Sequence, residues 1–191
     1  MKQKSRTEYS VMNTTVAFLA QTLAIFMGFF TRVVFTRTLS EGYVGINGLF
    51  TDILNILSLS ELGVGTAITY ALYAPIARRD IKKQQILMRM FRNFYRITAG
   101  FVLLAGLCLI PFLDILMKDR PDVNHLIIIY LLYLLNSVVS YLLIYKKTLV
   151  DAHQMNYITV MYHNGFLVLQ DILQIMVLFL TRNFILFLVI A

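Results

Sequence analysis

Apolar residues in this chain fall in long runs broken by short polar interruptions, and the runs have the length of membrane crossings, about 20 predominantly apolar residues each. On that pattern, helices are expected over about 12–38, 43–75, 97–117, 125–145 and 157–180. A last run, 184–191, is eight residues long. At the helical rise it reaches about 12 Å into a hydrocarbon core about 30 Å thick, so it reads as a sixth helix begun and cut short. Pro121 within KDRPDVN and the TRN ahead of Phe184 mark turns. The expected fold class is all-α, a polytopic membrane helical bundle filling 1–191 with no soluble domain.

Composition agrees. Hydrophobic residues make up 59% of the chain and charged residues 14%, against about 25% charged in soluble domains, and the mean hydropathy is +0.72. The net charge of +7 comes from basic residues lying between the apolar runs, where membrane topology accounts for them better than nucleic acid does; no nucleic-acid motif is present. With the N-terminus inside, twelve basic residues fall on the inner side and four (Arg37, Lys118, Arg120, Arg182) on the outer. This bias predicts a cytoplasmic N-terminus. The opening MKQKSRTEYS has the charge of a signal sequence, but the run after it is too long and lacks a small-residue cleavage site. Between the second and third expected spans stand seven basic residues, Arg78 to Arg96. Ile86, Leu87, Met90, Phe91 and Phe94 recur among them at helical spacing, which predicts an in-plane helix resting on anionic membrane lipids. The single Cys108 cannot form an internal disulfide.

Polar residues inside the spans carry the candidate chemistry. Arg32 lies about 9 Å from the outer end of the first helix and Asp52 about 12 Å into the second. These neighbours can meet, either as an ion pair pinning two helices or as a cation facing a cavity and tuned by the carboxylate. Asp52, Asn55, Gly63, Thr66, Tyr70 and Tyr73 share an arc of about 80°, whereas Glu61 points away, at the depth of Gln21. Gly63 and Gly65 suit close helix packing or a kink. The fourth helix presents Tyr133, Asn136, Ser137 and Ser140 on one face. The fifth presents His163, Asn164, Gln170, Asp171 and Gln174 across about 120°. One stripe can be hydrogen-bonding glue, but three point to a shared hydrated interior. The nearly featureless third helix is expected to face lipid. The substrate-binding candidates are Arg32, Asp52, Asn55, Asn136, Asp171 and Gln174: a guanidinium suits phosphate, and amide and hydroxyl groups suit sugar hydroxyls.

No catalytic constellation appears. His125, His153 and His163 lack metal-ligand spacing, and Asp114, Asp119 and Asp122 do not follow a calcium loop. Without a Walker motif, the expectation is a non-enzyme that uses no cofactor or metal and draws on an ion gradient or voltage.

Several of these segments resemble a known family. Arg32 and Phe35 in R-x-x-F, the Leu39 and Gly42 turn, GINGLF (Gly45 to Phe50), SELG (Ser60 to Gly63) and LYAPIA before a basic loop look like the start of Wzx-type polysaccharide flippases. That family sits in the superfamily of MATE exporters and the lipid II flippase. The likeness covers nearly all of this chain and less than half of a full-length member. It implies an N-terminal six-helix lobe, truncated in its sixth helix, of a two-lobed carrier. The implied activity is turning a polyprenyl-pyrophosphate-linked oligosaccharide from the cytoplasmic to the outer leaflet of a bacterial plasma (inner) membrane by alternating access. Arg32 would then stand nearest the diphosphate, with polysaccharide polymerase and assembly proteins as partners. Where the lipid II branch has an acid early in its second helix, this chain has Gly45, with Asp52 further on. The alternatives are a MATE-like exporter of organic cations, which wants an acidic site, a membrane-embedded polymerase, which wants a large external loop, and a helical subunit without transport of its own.

Overall fold

Hydrogen-bonded helices are the only way a single chain segment can satisfy its own backbone in lipid without closing a barrel, and every regular element described here is helical. The computed structural model describes residues 6–58, 64–117, 125–153 and 155–191. In order they form α1 (Arg6–Thr38), α2 (Glu41–Ser58), α3 (Val64–Ala77), α4 (Ile81–Leu109), a single turn α5 (Leu113–Leu116) reached through a 3-10 turn at Ile110–Phe112, α6 (Leu126–Ala152), α7 (Asn156–Thr181) and α8 (Phe184–Ile190). Four stretches are long and apolar enough to cross a membrane: Thr14–Thr38, Ile81–Phe112, Leu126–Ala152 and Ile158–Thr181. Their surfaces are largely uncovered by the rest of the chain. Phe18, Phe29, Ile97, Ile115, Phe166 and Leu180 stand outward, as expected where lipid is the solvent. This is a polytopic helical membrane protein.

Expected and observed helix ends agree where a polar break is sharp. α1 stops at Thr38, and α7 stops at Thr181 before Arg182 takes a left-handed conformation. Two regions differ. The expected span over 43–75 is two elements, α2 and α3; Glu61 and Gly63, on which part of its polar stripe rested, lie outside the described residues. The expected in-plane helix and the span over 97–117 are instead one helix, α4. Its start is set by Asp80, whose side chain accepts from the Lys83 backbone N–H at 3.0 Å. Nothing between that cap and Gly100 breaks a helix, and Phe91, Tyr95, Thr98, Val102 and Gly106 form one buried stripe across the expected boundary. Basic residues mark where the helix leaves the bilayer, not where it ends. The span over 125–145 likewise continues past Lys146 and Lys147 to Ala152.

The helices gather in two groups. α1 lies along α7, with α8 folded back on α7; α4 lies along α6, with α2 and α3 covering both. α1 and α7 run the same way: Thr31 meets Asp171, and Phe35, near the end of α1, packs against Phe184 just beyond the end of α7. The end of the bundle where α1 terminates is called distal below. α4 and α6 run oppositely, and Tyr130 near the start of α6 donates to the Gly106 carbonyl at 2.8 Å.

At Gly106 α4 lies tight against α6. A Cβ there would stand 2.9 Å from Leu134 Cδ2 and closer still to Cδ1, and Leu134 is itself buried. Small residues permit such approaches in lipid, where packing replaces the hydrophobic drive between helices. Gly106→Ala is therefore expected to destabilise by about 1–3 kcal/mol in reversible unfolding from micelles. Paired with Leu134→Ala, the loss should be smaller than the sum of the two single losses.

Candidate functional site

Polar side chains from four helices lie at one level of the bundle, in two hydrogen-bonded pairs. From α1, the buried Thr31 hydroxyl donates to Asp171 Oδ1 on α7 at 2.8 Å. The next residue, Arg32, is exposed, with its guanidinium 5.4 Å from the Phe35 ring centroid. At the same depth on α6 stands Tyr133. Tyr133 in turn donates a short hydrogen bond to Asn47 Oδ1 on α2. Counted from the distal ends of their helices, these residues lie about 9–15 Å in. Asp171, Thr31, Arg32, Tyr133 and Asn47 thus make a polar belt across α7, α1, α6 and α2.

Local packing explains each placement. α7 turns Asn164, Gln174 and Leu178 into the bundle, so Asp171, on the same side of the helix, meets α1 and not lipid. Gln174 is committed further: its Nε2 donates to the Phe187 carbonyl at 3.2 Å, holding α8 against α7. On α2, Ile46, Phe50 and Ile53 form the buried face. Phe50 packs edge-on against Tyr130 and Tyr133, with centroids 5.1 and 5.8 Å apart, and this brings Asn47 beside Tyr133. An aromatic cluster of Phe35, Tyr43, Phe184 and Phe187 stands distal to the belt, with centroids 5.1–6.0 Å apart.

The sequence-derived candidates divide. Arg32 and Asp171 belong to the belt, and Gln174 lies one turn along from Asp171. Asp52 and Asn55 are exposed on the side of α2 away from its buried face, and Asn136 is exposed on α6, its carbonyl accepting from Ser140 Oγ at 2.9 Å. Arg32 and Asp52 form no ion pair: the cation lies over the Phe35 ring, and the α2 face that packs is the apolar one. Thr31 and Asn47 went unnoticed in the sequence. Asn47 was legible by depth, since it lies as many residues from the start of α2 as Arg32 does from the end of α1; grouping residues by stripe on one helix hid it.

Two cavities lie at the ends of the bundle. One of about 420 Å³ is walled by Tyr73, Ile76, Ala77, Ala152 and His153, where α3 and α6 end. Close by in sequence, Asp151 Oδ1 is buried without a hydrogen-bond partner, as is Arg92 Nε on α4. The other, of about 290 Å³, opens at the distal end between α2, α6, α7 and α8. Among the described residues no group of three or more His, Cys, Asp or Glu side chains is placed to hold a metal ion.

The Thr31–Asp171 bond is the polar tie between α1 and α7, so its loss should be felt in stability. Interhelical hydrogen bonds in lipid are worth about 0.6–1.7 kcal/mol. Thr31→Val is expected to lower unfolding stability in micelles by that much, whereas Thr31→Ser, which keeps the donor, should stay close to the parent.

No protein-family model, curated protein or solved structure matches this chain.

Proposed function

We propose that this protein carries a polyprenyl-pyrophosphate-linked oligosaccharide across the membrane, from the cytoplasmic to the outer leaflet, by alternating access. The observation that carries the reading is Arg32, an exposed guanidinium within a lipid-length helix at the level where Tyr133, Asn47, Thr31 and Asp171 lie. A charge placed so deep costs about 2.5–3.5 kcal/mol on insertion scales, a cost that persists where the charge has work to do. Asp171 is bonded to Thr31 and Asp52 is not paired with Arg32, so the guanidinium fork keeps its donors for an anion. A diphosphate matches that fork bidentately. Tyr133, Asn47 and Asn136 supply hydroxyl and amide groups of the kind that sugar hydroxyls bind.

On this reading α1 to α8 belong to one lobe of a two-lobed carrier. The ends of α3, α4 and α6 that carry Arg78, Arg79, Lys82, Lys83, Lys146 and Lys147 face the cytoplasm of a bacterial inner membrane. The resemblance of the GINGLF and R-x-x-F segments to Wzx-type flippases supports the same assignment. A cation exporter would want an acidic site, and the one carboxylate of the belt, Asp171, already accepts from Thr31.

Arg32→Ala is expected to reduce surface glycan at least tenfold at equal membrane level and to leave lipid-linked precursor accumulating in the inner leaflet. Arg32→Lys, which keeps the charge and loses the fork, should fall between. Undiminished export by Arg32→Ala would remove the proposed role.

A further inference from the structure

The distal cavity has the makings of a second binding site. Six of its lining residues come from four elements: Tyr43 of α2, His125 at the start of α6, Thr181 closing α7, and Arg182, Asn183 and Phe184 leading into α8. Three non-glycine residues among those described have a positive φ, and two of them, His125 (65°) and Arg182 (49°), line this cavity. The left-handed region is unfavourable for side chains with a Cβ. Residues held there gather at ligand sites, where surrounding contacts over-determine them. Glycine would end α7 at Arg182 more cheaply, so its side chain is retained at a cost.

The surrounding bonds hold this wall in place. Asn183 Oδ1 accepts from the Ile185 and Leu186 backbone N–H groups at 2.9 and 3.3 Å. Thr181 Oγ1 donates to the Val177 carbonyl and accepts from the Asn183 N–H. Phe184 is buried against Tyr43, Phe35 and Phe187. What stays free for a ligand is the Asn183 amide N–H pair, the Tyr43 hydroxyl, the His125 ring and the Arg182 fork, and among the described residues no carboxylate lines the cavity. The lining is rich in donors and positive. Its volume of about 290 Å³ sits at the small end of ligand cavities, which run from about 300 to 1,000 Å³.

We propose that this cavity binds one sugar-sized anionic ligand, with Arg182 holding its phosphate or carboxylate and Tyr43 and Asn183 holding its hydroxyls. The site does not depend on the transport reading, because binding is measured without turnover. The purified chain in phosphatidylcholine nanodiscs is titrated with glucose 6-phosphate, glucuronate and glucose and followed by saturation-transfer NMR. At least one anionic probe should bind ten times or more tighter than glucose. A preference for the phosphate assigns the anion to a phosphorylated group, and a preference for glucuronate to an acidic sugar. Arg182→Gly, which suits a φ of 49°, should lower that affinity at least tenfold with helix content unchanged. Tyr43→Phe should lower it about three- to tenfold, and serves alone if the glycine variant does not fold. Equal affinity for glucose, no binding of any probe, or full affinity in whichever variant folds would overturn the proposal.

Discussion

The hydrogen bond from Thr31 to Asp171 joins positions 140 residues apart in sequence, and the placement of α1 depends on it. Only 11% of the most apolar stretch of α1 is buried in the rest of the chain, and its packing is concentrated along α7, where this bond is set. Rotating α1 to break this bond would leave a carboxylate facing hydrocarbon, which is far costlier than losing apolar contact. The rotation that satisfies Asp171 also sets where Arg32 points, since the two α1 residues are adjacent.

Once α1 is set, the seam between the two helix groups follows. α1, α7 and α8 form one group and α2, α3, α4 and α6 the other. Arg32 and Tyr133 stand at the same depth on either side of that seam. The second group holds its own side of the belt with ordinary packing, Phe50 on two tyrosines and Asn47 on one of them. Apolar rings also cross that seam, Tyr43 of α2 lying 5.1 Å from Phe184 of α8, and within each group apolar packing and the Gly106 approach dominate.

Much of this architecture was legible in the sequence, and the illegible part has physical causes. Hydropathy located four crossings because a bilayer demands a minimum apolar length, but not the one expected over 43–75, which is two shorter helices; the ends at Thr38 and Thr181 are sharp because polar residues follow at once. The charge pattern divides α4 into an in-plane helix and a span, whereas a capped helix with one unbroken buried stripe runs straight through the basic residues. Arg32 and Asp171 stood out as charges inside apolar runs. Their partners did not, because Thr31 and Asn47 are unremarkable alone and gain meaning only when depth is compared between helices.

Phe35, Phe184, Phe187 and Tyr43 occupy the space between Arg32 and the distal cavity, and they are rooted in α1, α2 and α8. A ring held from one helix turns aside by changing rotamer. This knot does not, because each ring wedges another from a different element. The rings couple α1, α2 and α8, so a displacement of any one of these helices is passed to the other two.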